Sequence, residues 1–354
     1  MGVFSQLDFV RNNIQNIPDI KKKPTGSVGY FGHRTTRAFR LIIQEKEIIF
    51  FAILQWVTIG LAYLLWTQML DWIPEDVWEA AAKSRKGGSA ADWILLIWSF
   101  FCVGLAAYPI GILTGCMGAA HFLNKQKGDS TIASCFALVM PQSWPLWTFH
   151  WIDGWITCRR ILARLPQDDK KTAAQRAREE ALYYAWKIGV AGVLPSILTG
   201  NNLIKSGKNS IVFVRSNFWD VVKLRTGYSA LCWIIAIATY LLGVVFLLTI
   251  GVAGDAKPSS SVYSVYLWAG LPLMGALAFV MLILRPIYVI SLCDLYSDYL
   301  EANGTPPTLP KSPSKGTSAL VTFGCLSLII TTVYIFRQEL GIMDALANSY
   351  KQPQ

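Results

Sequence analysis

Charge is scarce in this chain. Only 15% of its 354 residues are Asp, Glu, Lys or Arg, against about 25% in an ordinary soluble domain. With 53% hydrophobic residues and a mean hydropathy of +0.39, this deficit excludes an ordinary soluble domain and points to an integral membrane protein. Histidine is scarcer still, at three residues, His33, His121 and His150. No H-E-x-x-H and no paired Cys/His spacing is present, so no metal site is expected. A P-loop, a G-x-G-x-x-G after a strand and a G-x-S-x-G elbow are also missing, and no cofactor is expected. The seven cysteines form no C-x-x-C pair and lie mostly in apolar stretches. They read as small hydrophobes, not as a disulfide framework. Residues 1–46 hold no apolar core of signal-peptide length before a small-residue cleavage site, so no cleavable leader is expected.

What the chain has is apolar length and unevenly placed basic charge. Ile48–Trp66, Trp93–Leu123, Tyr228–Val252, Val265–Ile290 and Ala319–Phe336 each have about the length that a bilayer core requires. Two further stretches, Ile132–Trp155 and Ala181–Ile204, are nearly long enough but carry Lys and Arg on both flanks. A spanning segment leaves one flank poor in positive charge, so these two are expected to dip into one leaflet or lie along it. The fold expected is an all-α polytopic membrane protein, with about five transmembrane helices plus two re-entrant or interfacial helical segments.

This divides the chain into six regions. Residues 1–47 form an amphipathic and basic N-terminal region, and 48–123 the first transmembrane pair. Residues 124–227 form a basic region with two half-penetrating helices, and 228–290 the second pair. A Pro/Ser-rich linker covers 291–318, and the last span and tail cover 319–354. With the N-terminus inside, 26 of the 32 Lys and Arg fall on the inner side and 6 outside. The positive-inside rule therefore places the N-terminus in the cytoplasm and the C-terminus outside; the bacterial inner membrane is the expected location. The net charge of +10 then reads as topology signal and contact with anionic lipid headgroups, not as nucleic-acid binding.

Four local patterns carry chemistry. Trp144, Trp147, Trp151 and Trp155 recur at helical spacing, and Arg159 and Arg160 follow one turn later. Indoles bury apolar area while their N–H reaches polar groups, so this face is a candidate surface for lipid or a protein partner. Ala107, Gly111, Gly115 and Ala119 form a small-xxx-small ladder, which permits close helix packing within the chain or in a homo-oligomer. Pro195, Gly200 and Asn201 mark where a re-entrant hairpin would bend. His150 and Asp153 share a helix face, the one pairing that would suit a lipid-modifying enzyme. Asp153 and Lys187 are the charges within the middle stretches, and both are expected to snorkel toward water.

The paired long spans with half-penetrating middle segments resemble bacterial CysZ-like membrane proteins, associated with sulfate uptake. The run Thr36-Arg-Ala-Phe-Arg-Leu-Ile-Ile-Gln-Glu-Lys-Glu-Ile-Ile-Phe-Phe is also similar to the opening of uncharacterised polytopic inner-membrane families. Leu194-Pro195 and Leu292-Cys-Asp-Leu-Tyr-Ser-Asp-Tyr-Leu fit the same pattern over about residues 35–300. The resemblance is architectural and implies an oligomeric channel or permease for a small anion. The residues themselves favour a non-enzymatic membrane subunit or scaffold with a cytoplasmic face that binds lipid and a partner.

Overall fold

The computed structural model describes residues 27–72, 90–127, 130–162, 173–253 and 271–305. The regular structure among them is helical, with no strand. In chain order the helices are α1 (Ser27–Gln44), α2 (Lys46–Trp72), α3 (Ala90–Lys127), α4 (Ile132–Val139), α5 (Ser143–Leu162) and α6 (Ala173–Gly189). They continue with α7 (Val193–Leu198), α8 (Leu203–Ser216), α9 (Phe218–Ala253), α10 (Leu271–Phe279) and α11 (Arg285–Ala302).

Five helical stretches are long and apolar enough to cross a membrane: Lys46–Thr67, Leu96–Gln126, Ala177–Leu198, Phe218–Thr249 and Gly275–Ala302. Four of them overlap the first four expected spans. The fifth does not, because Ala177–Leu198 falls in a stretch expected to stay shallow. The expected span at 319–336 and residues 1–26 of the expected amphipathic N-terminal region lie outside the described residues. α9 is apolar around its whole circumference and leaves Trp233, Ile234, Leu242 and Phe246 exposed. A helix of that kind is stable in hydrocarbon, not in water.

The junctions follow from local chemistry. α1 and α2 meet at Glu45, whose buried carboxylate accepts from Asn124 Nδ2 at 2.5 Å and from Ser130 Oγ at 2.7 Å. One side chain thus ties the start of α2 to the end of α3 and the start of α4. A capping box at Thr131 and Ser134 opens α4. Between α10 and α11 the helix widens to a π turn over Val280–Leu284, in which Arg285 N–H donates to Val280 O. Pro286 follows directly and has no N–H for the α-helical ladder.

The core lies where α2, the second half of α3, α4, α7 and α11 converge. Phe51, Met117, Phe122, Leu198 and Ile290 are fully enclosed there. α5 is antiparallel to α3 and lies lengthwise against it. Gly115 faces Val139 and Leu146, Gly111 faces Leu146 and His150, Gly104 faces Trp151, and Phe100 packs on Trp151 and Trp155. From Gly115 to Phe100 this contact runs roughly 22 Å along the axis at 1.5 Å per residue. α6 returns beside α5, with Glu180 on Arg160 and Lys187 on Asp153. The chain then turns at Val190–Gly192, and α7 packs Leu198 over Gly118. The α5–α6 hairpin therefore reaches the end of the bundle at which Trp66 of α2 donates to Ser99 Oγ of α3.

The two middle segments expected to dip into one leaflet or lie along it are packed lengthwise beside α3 as the α5–α6 hairpin. The expectation counted Arg160 and Lys187 as water-seeking charges, whereas each has a carboxylate partner inside the fold. The small-residue ladder of α3 supplies the groove that accepts α5.

A Cβ at Gly111 would lie 3.1 Å from the Leu146 carbonyl oxygen, which is backbone and cannot move aside. Nothing lies within 4 Å of a Cβ at Gly60. Gly111→Leu should therefore lower stability by about 2 kcal/mol or more in a denaturation series in detergent. Gly60→Leu should leave it nearly unchanged.

Candidate functional site

The tryptophan stripe divides between exposed and engaged indoles. Trp147 Nε1 donates to Gly104 O at 2.8 Å, and Trp151 Nε1 to Phe100 O at 3.2 Å. Trp147 stacks on Trp151, and Trp155 meets Phe100 edge-on. These three rings are half-buried, while Trp144, packed edge-on against Trp147, is 69% exposed. Trp147 and Trp151 thus position α5, and Trp144 is the indole left facing outward. Arg160 pairs with Glu180 and lies over the Tyr183 ring, 3.9 Å from its centroid. Arg159 is exposed. In the ladder, Gly111 and Gly115 meet α4 and α5, and Ala107 and Ala119 are buried.

Asp153 and Lys187 do not snorkel. Lys187 Nζ lies 2.6 Å from both carboxylate oxygens of Asp153, and Trp186 Nε1 donates to Oδ1 at 3.1 Å. The pair neutralises itself between two helices, which is how charge is tolerated in an apolar surround. His150 Nδ1 lies 2.9 Å from Leu146 O on its own helix.

The chain turns at two of the three residues expected to mark a bend. Gly200 has φ 89°, a left-handed value that suits glycine. Asn201 Nδ2 donates to Ser196 O and Thr199 Oγ1, both at 3.1 Å, which ties the turn between α7 and α8. Asn202 caps α8 through Lys205 N–H. Pro195 does not make the bend. It sits in the first turn of α7, where the absence of an N–H costs no ladder bond.

Two polar clusters were not assembled by sequence reasoning. One lies inside the bundle. Gln55 Nε2 donates to Thr114 Oγ1 at 2.6 Å, and Arg285 Nη2 lies 3.5 Å from the same hydroxyl. Gln55 is fully buried and its Oε1 has no hydrogen-bond partner. Among the described residues no carboxylate forms an ion pair with Arg285.

The other cluster is a cavity of about 230 Å³ where α1 packs on α11 beside the end of α3. Arg34, Arg37, Arg40 and Lys125 stand in its wall with His121, Ser291 and Asp294. Asp294 is 4% exposed and receives Arg34 Nη1 on Oδ2 at 2.7 Å. Arg34 Nη2 continues to Asp298 at 2.7 Å, and Lys125 Nζ reaches Ser297 Oγ and Glu301. The available signals were Arg34, Arg37 and Arg40 at three-residue spacing before the first span, and Asp294 directly after the mostly apolar run Pro286–Cys293. Their sequence separation hid the fact that they meet.

No family model, curated protein or solved structure matches this chain. The class that the fold itself supports is a helical protein with five helices long and apolar enough to cross a membrane.

Removing one partner of an enclosed ion pair leaves the other charge unmatched, at a cost of roughly 3 kcal/mol. Lys187→Met should destabilise by about that amount. Adding Asp153→Leu to it should restore most of the loss, as read from denaturation midpoints of the single and double variants.

Proposed function

We propose that this chain is a non-enzymatic integral membrane protein whose basic end binds anionic lipid headgroups and there recruits a protein partner. One observation carries the reading. α1 and α8 lie at the same end of the bundle and expose apolar side chains beside basic ones. On α8, Ile204, Ile211 and Val212 are exposed along with Lys205, Lys208 and Arg215. On α1, Phe39 and Ile43 are exposed beside Arg37 and Arg40. Such surfaces place carbon among acyl chains and cations among phosphates. With the seven Lys and Arg from Arg159 to Arg178 on the outer side in this reading, 19 of the 32 remain at this end, and that excess places it in the cytoplasm of a bacterial inner membrane, with the C-terminus on the other side. Trp144 adds an exposed aromatic anchor on α5.

In this reading the α5–α6 hairpin crosses with α3, because its length beside that helix approaches the thickness of a hydrocarbon core, about 30 Å.

A second reading, passage of a small anion, rests on Arg285. A guanidinium within a membrane-length stretch and without a carboxylate partner among the described residues is a functional candidate. The architectural resemblance to CysZ-like proteins is consistent with it.

The test uses purified protein in lipid nanodiscs and in sealed vesicles. Each basic side chain near an anionic surface contributes about 1 kcal/mol. Replacing Lys205, Lys208 and Arg215 together with Gln should therefore weaken anionic-lipid retention roughly a hundredfold at low salt. Retention equal to wild type would remove the lipid reading. Anion flux into the vesicles that disappears in Arg285→Gln would favour the second reading, and flux equal to empty vesicles would end it.

A further inference from the structure

The cavity at the basic end has a donor and acceptor pattern that specifies its occupant. Arg34, Arg37, Arg40 and Lys125 bring four cations to the cluster. Asp294 stands in the wall, and behind it Asp298 and Glu301 pair with Arg34 and Lys125. Four cations against three carboxylates leave the cluster short of one negative charge.

Three polar atoms of the wall are deeply buried and lack a hydrogen-bond partner: His121 Nε2, Ser291 Oγ and Asp294 Oδ1. Their residues are 6%, 1% and 4% exposed. Buried polar atoms are almost always satisfied, by protein, water or ligand. Ser291 offers a hydroxyl, and His121 Nε2 can carry a proton. Asp294 already accepts from Arg34 through Oδ2. Its free oxygen lies 3.4 Å from Arg37 Nη1 and 3.8 Å from His121 Nε2. An ionised carboxylate only accepts, so this oxygen, ion-paired to Arg37 but without a hydrogen bond, is completed by an occupant that donates a hydrogen.

The complement is an anion with several acceptor oxygens and one O–H. We propose that this cavity binds a protonated phosphate group, either free hydrogen phosphate or the monoester headgroup of a lipid. Its oxygens accept from Ser291, His121 and Arg37, and its P–OH donates to Asp294 Oδ1. Phosphomonoesters have a second pKa near 6, so a fraction keeps that proton at mildly acidic pH, and a carboxylate facing the group selects the protonated form. Sulfate has no such proton and would set a lone pair against the carboxylate. A phosphodiester headgroup lacks the proton as well. The proposal rests on the reading of this end as anion-binding and makes it selective. Arg37, 57% exposed in its side chain, forms the rim through which either source arrives.

The experiment titrates the full-length protein in detergent at pH 6.5 with inorganic phosphate and, separately, with sulfate. The same protein in phosphatidylcholine nanodiscs is offered phosphatidic acid, a monoester, or phosphatidylglycerol, a diester. If the site takes free phosphate, phosphate binds at least tenfold tighter than sulfate. If it takes a headgroup, phosphatidic acid is retained at least tenfold over phosphatidylglycerol. In either case Ser291→Ala should weaken binding about tenfold, the worth of one hydrogen bond to a charged group. The unliganded melting temperature should not move, because that hydroxyl has no partner to lose. Asp294→Asn supplies an N–H in place of the acceptor, so sulfate or diester binding should rise, a gain that misfolding would not produce. Equal binding of phosphate and sulfate together with equal retention of the two lipids overturns the proposal, as does a cavity that holds only water in both arms. Loss of all anionic-lipid retention with phosphate binding intact would instead remove the broader lipid reading and leave the site standing.

Discussion

The close approach of α5 to α3 is the contact on which the rest of the bundle depends. Lipid tails are as apolar as leucine, so helices in a bilayer gain little from burying hydrocarbon against each other. They gain from packing density, and density requires small residues. Gly104, Gly111 and Gly115 supply it here, since a Cβ at any of the three would fall within about 3 Å of α4 or α5. That proximity brings Trp147 and Trp151 within reach of the carbonyls of α3. It also fixes the depth of Asp153, and through Asp153 the position of Lys187 and α6. Gly118, on the next turn, lets α7 close over the same helix.

Charge inside the bundle follows a similar economy. Glu45, Asp153 and Asp294 each sit among donors that match them, and each links helices far apart in sequence. Among the described residues, Arg285 has no carboxylate partner and Asp294 Oδ1 has an ion pair but no hydrogen bond. Both lie where α11 meets α3. The π turn before Arg285 belongs with this, as π turns inside helices often mark functional positions.

How much of this was legible in the sequence depends on the physical signal behind each feature. The long helices were, because an uncharged stretch of bilayer length has few alternatives. α2, α3, α9 and the π-interrupted α10–α11 overlap four expected spans. The bend at Gly200 and Asn201 was also visible, since its residue types carry local turn chemistry. The packing of the two middle segments on α3 and on each other was not. The count of Lys and Arg treats every cation as solvated and cannot foresee that Lys187 finds Asp153 across two helices. The stripe at Trp144–Trp155 and the ladder at Ala107–Ala119 were each visible, but as separate faces. That Trp147, Trp151, Gly104, Gly111 and Gly115 belong to one contact is a long-range fact without a local signature. The basic cavity was hidden for the same reason, with Arg34, His121 and Asp294 drawn from three distant helices.

The proposed function includes the claim that the α5–α6 hairpin, which packs alongside α3, crosses the membrane with it. Gln126 and Arg159 are both exposed. Trp155 is level with Phe100, so Arg159 lies about one turn further on and roughly 45 Å from the level of Gln126 at 1.5 Å per residue. That distance exceeds the hydrocarbon core of about 30 Å. The most direct measurement places single cysteines at 126 and 159 and labels each in sealed vesicles with a maleimide that does not cross the membrane. The account predicts labelling from opposite sides. Labelling of both from the same side would contradict it and return the middle segments to the shallow position that their flanking charges suggest.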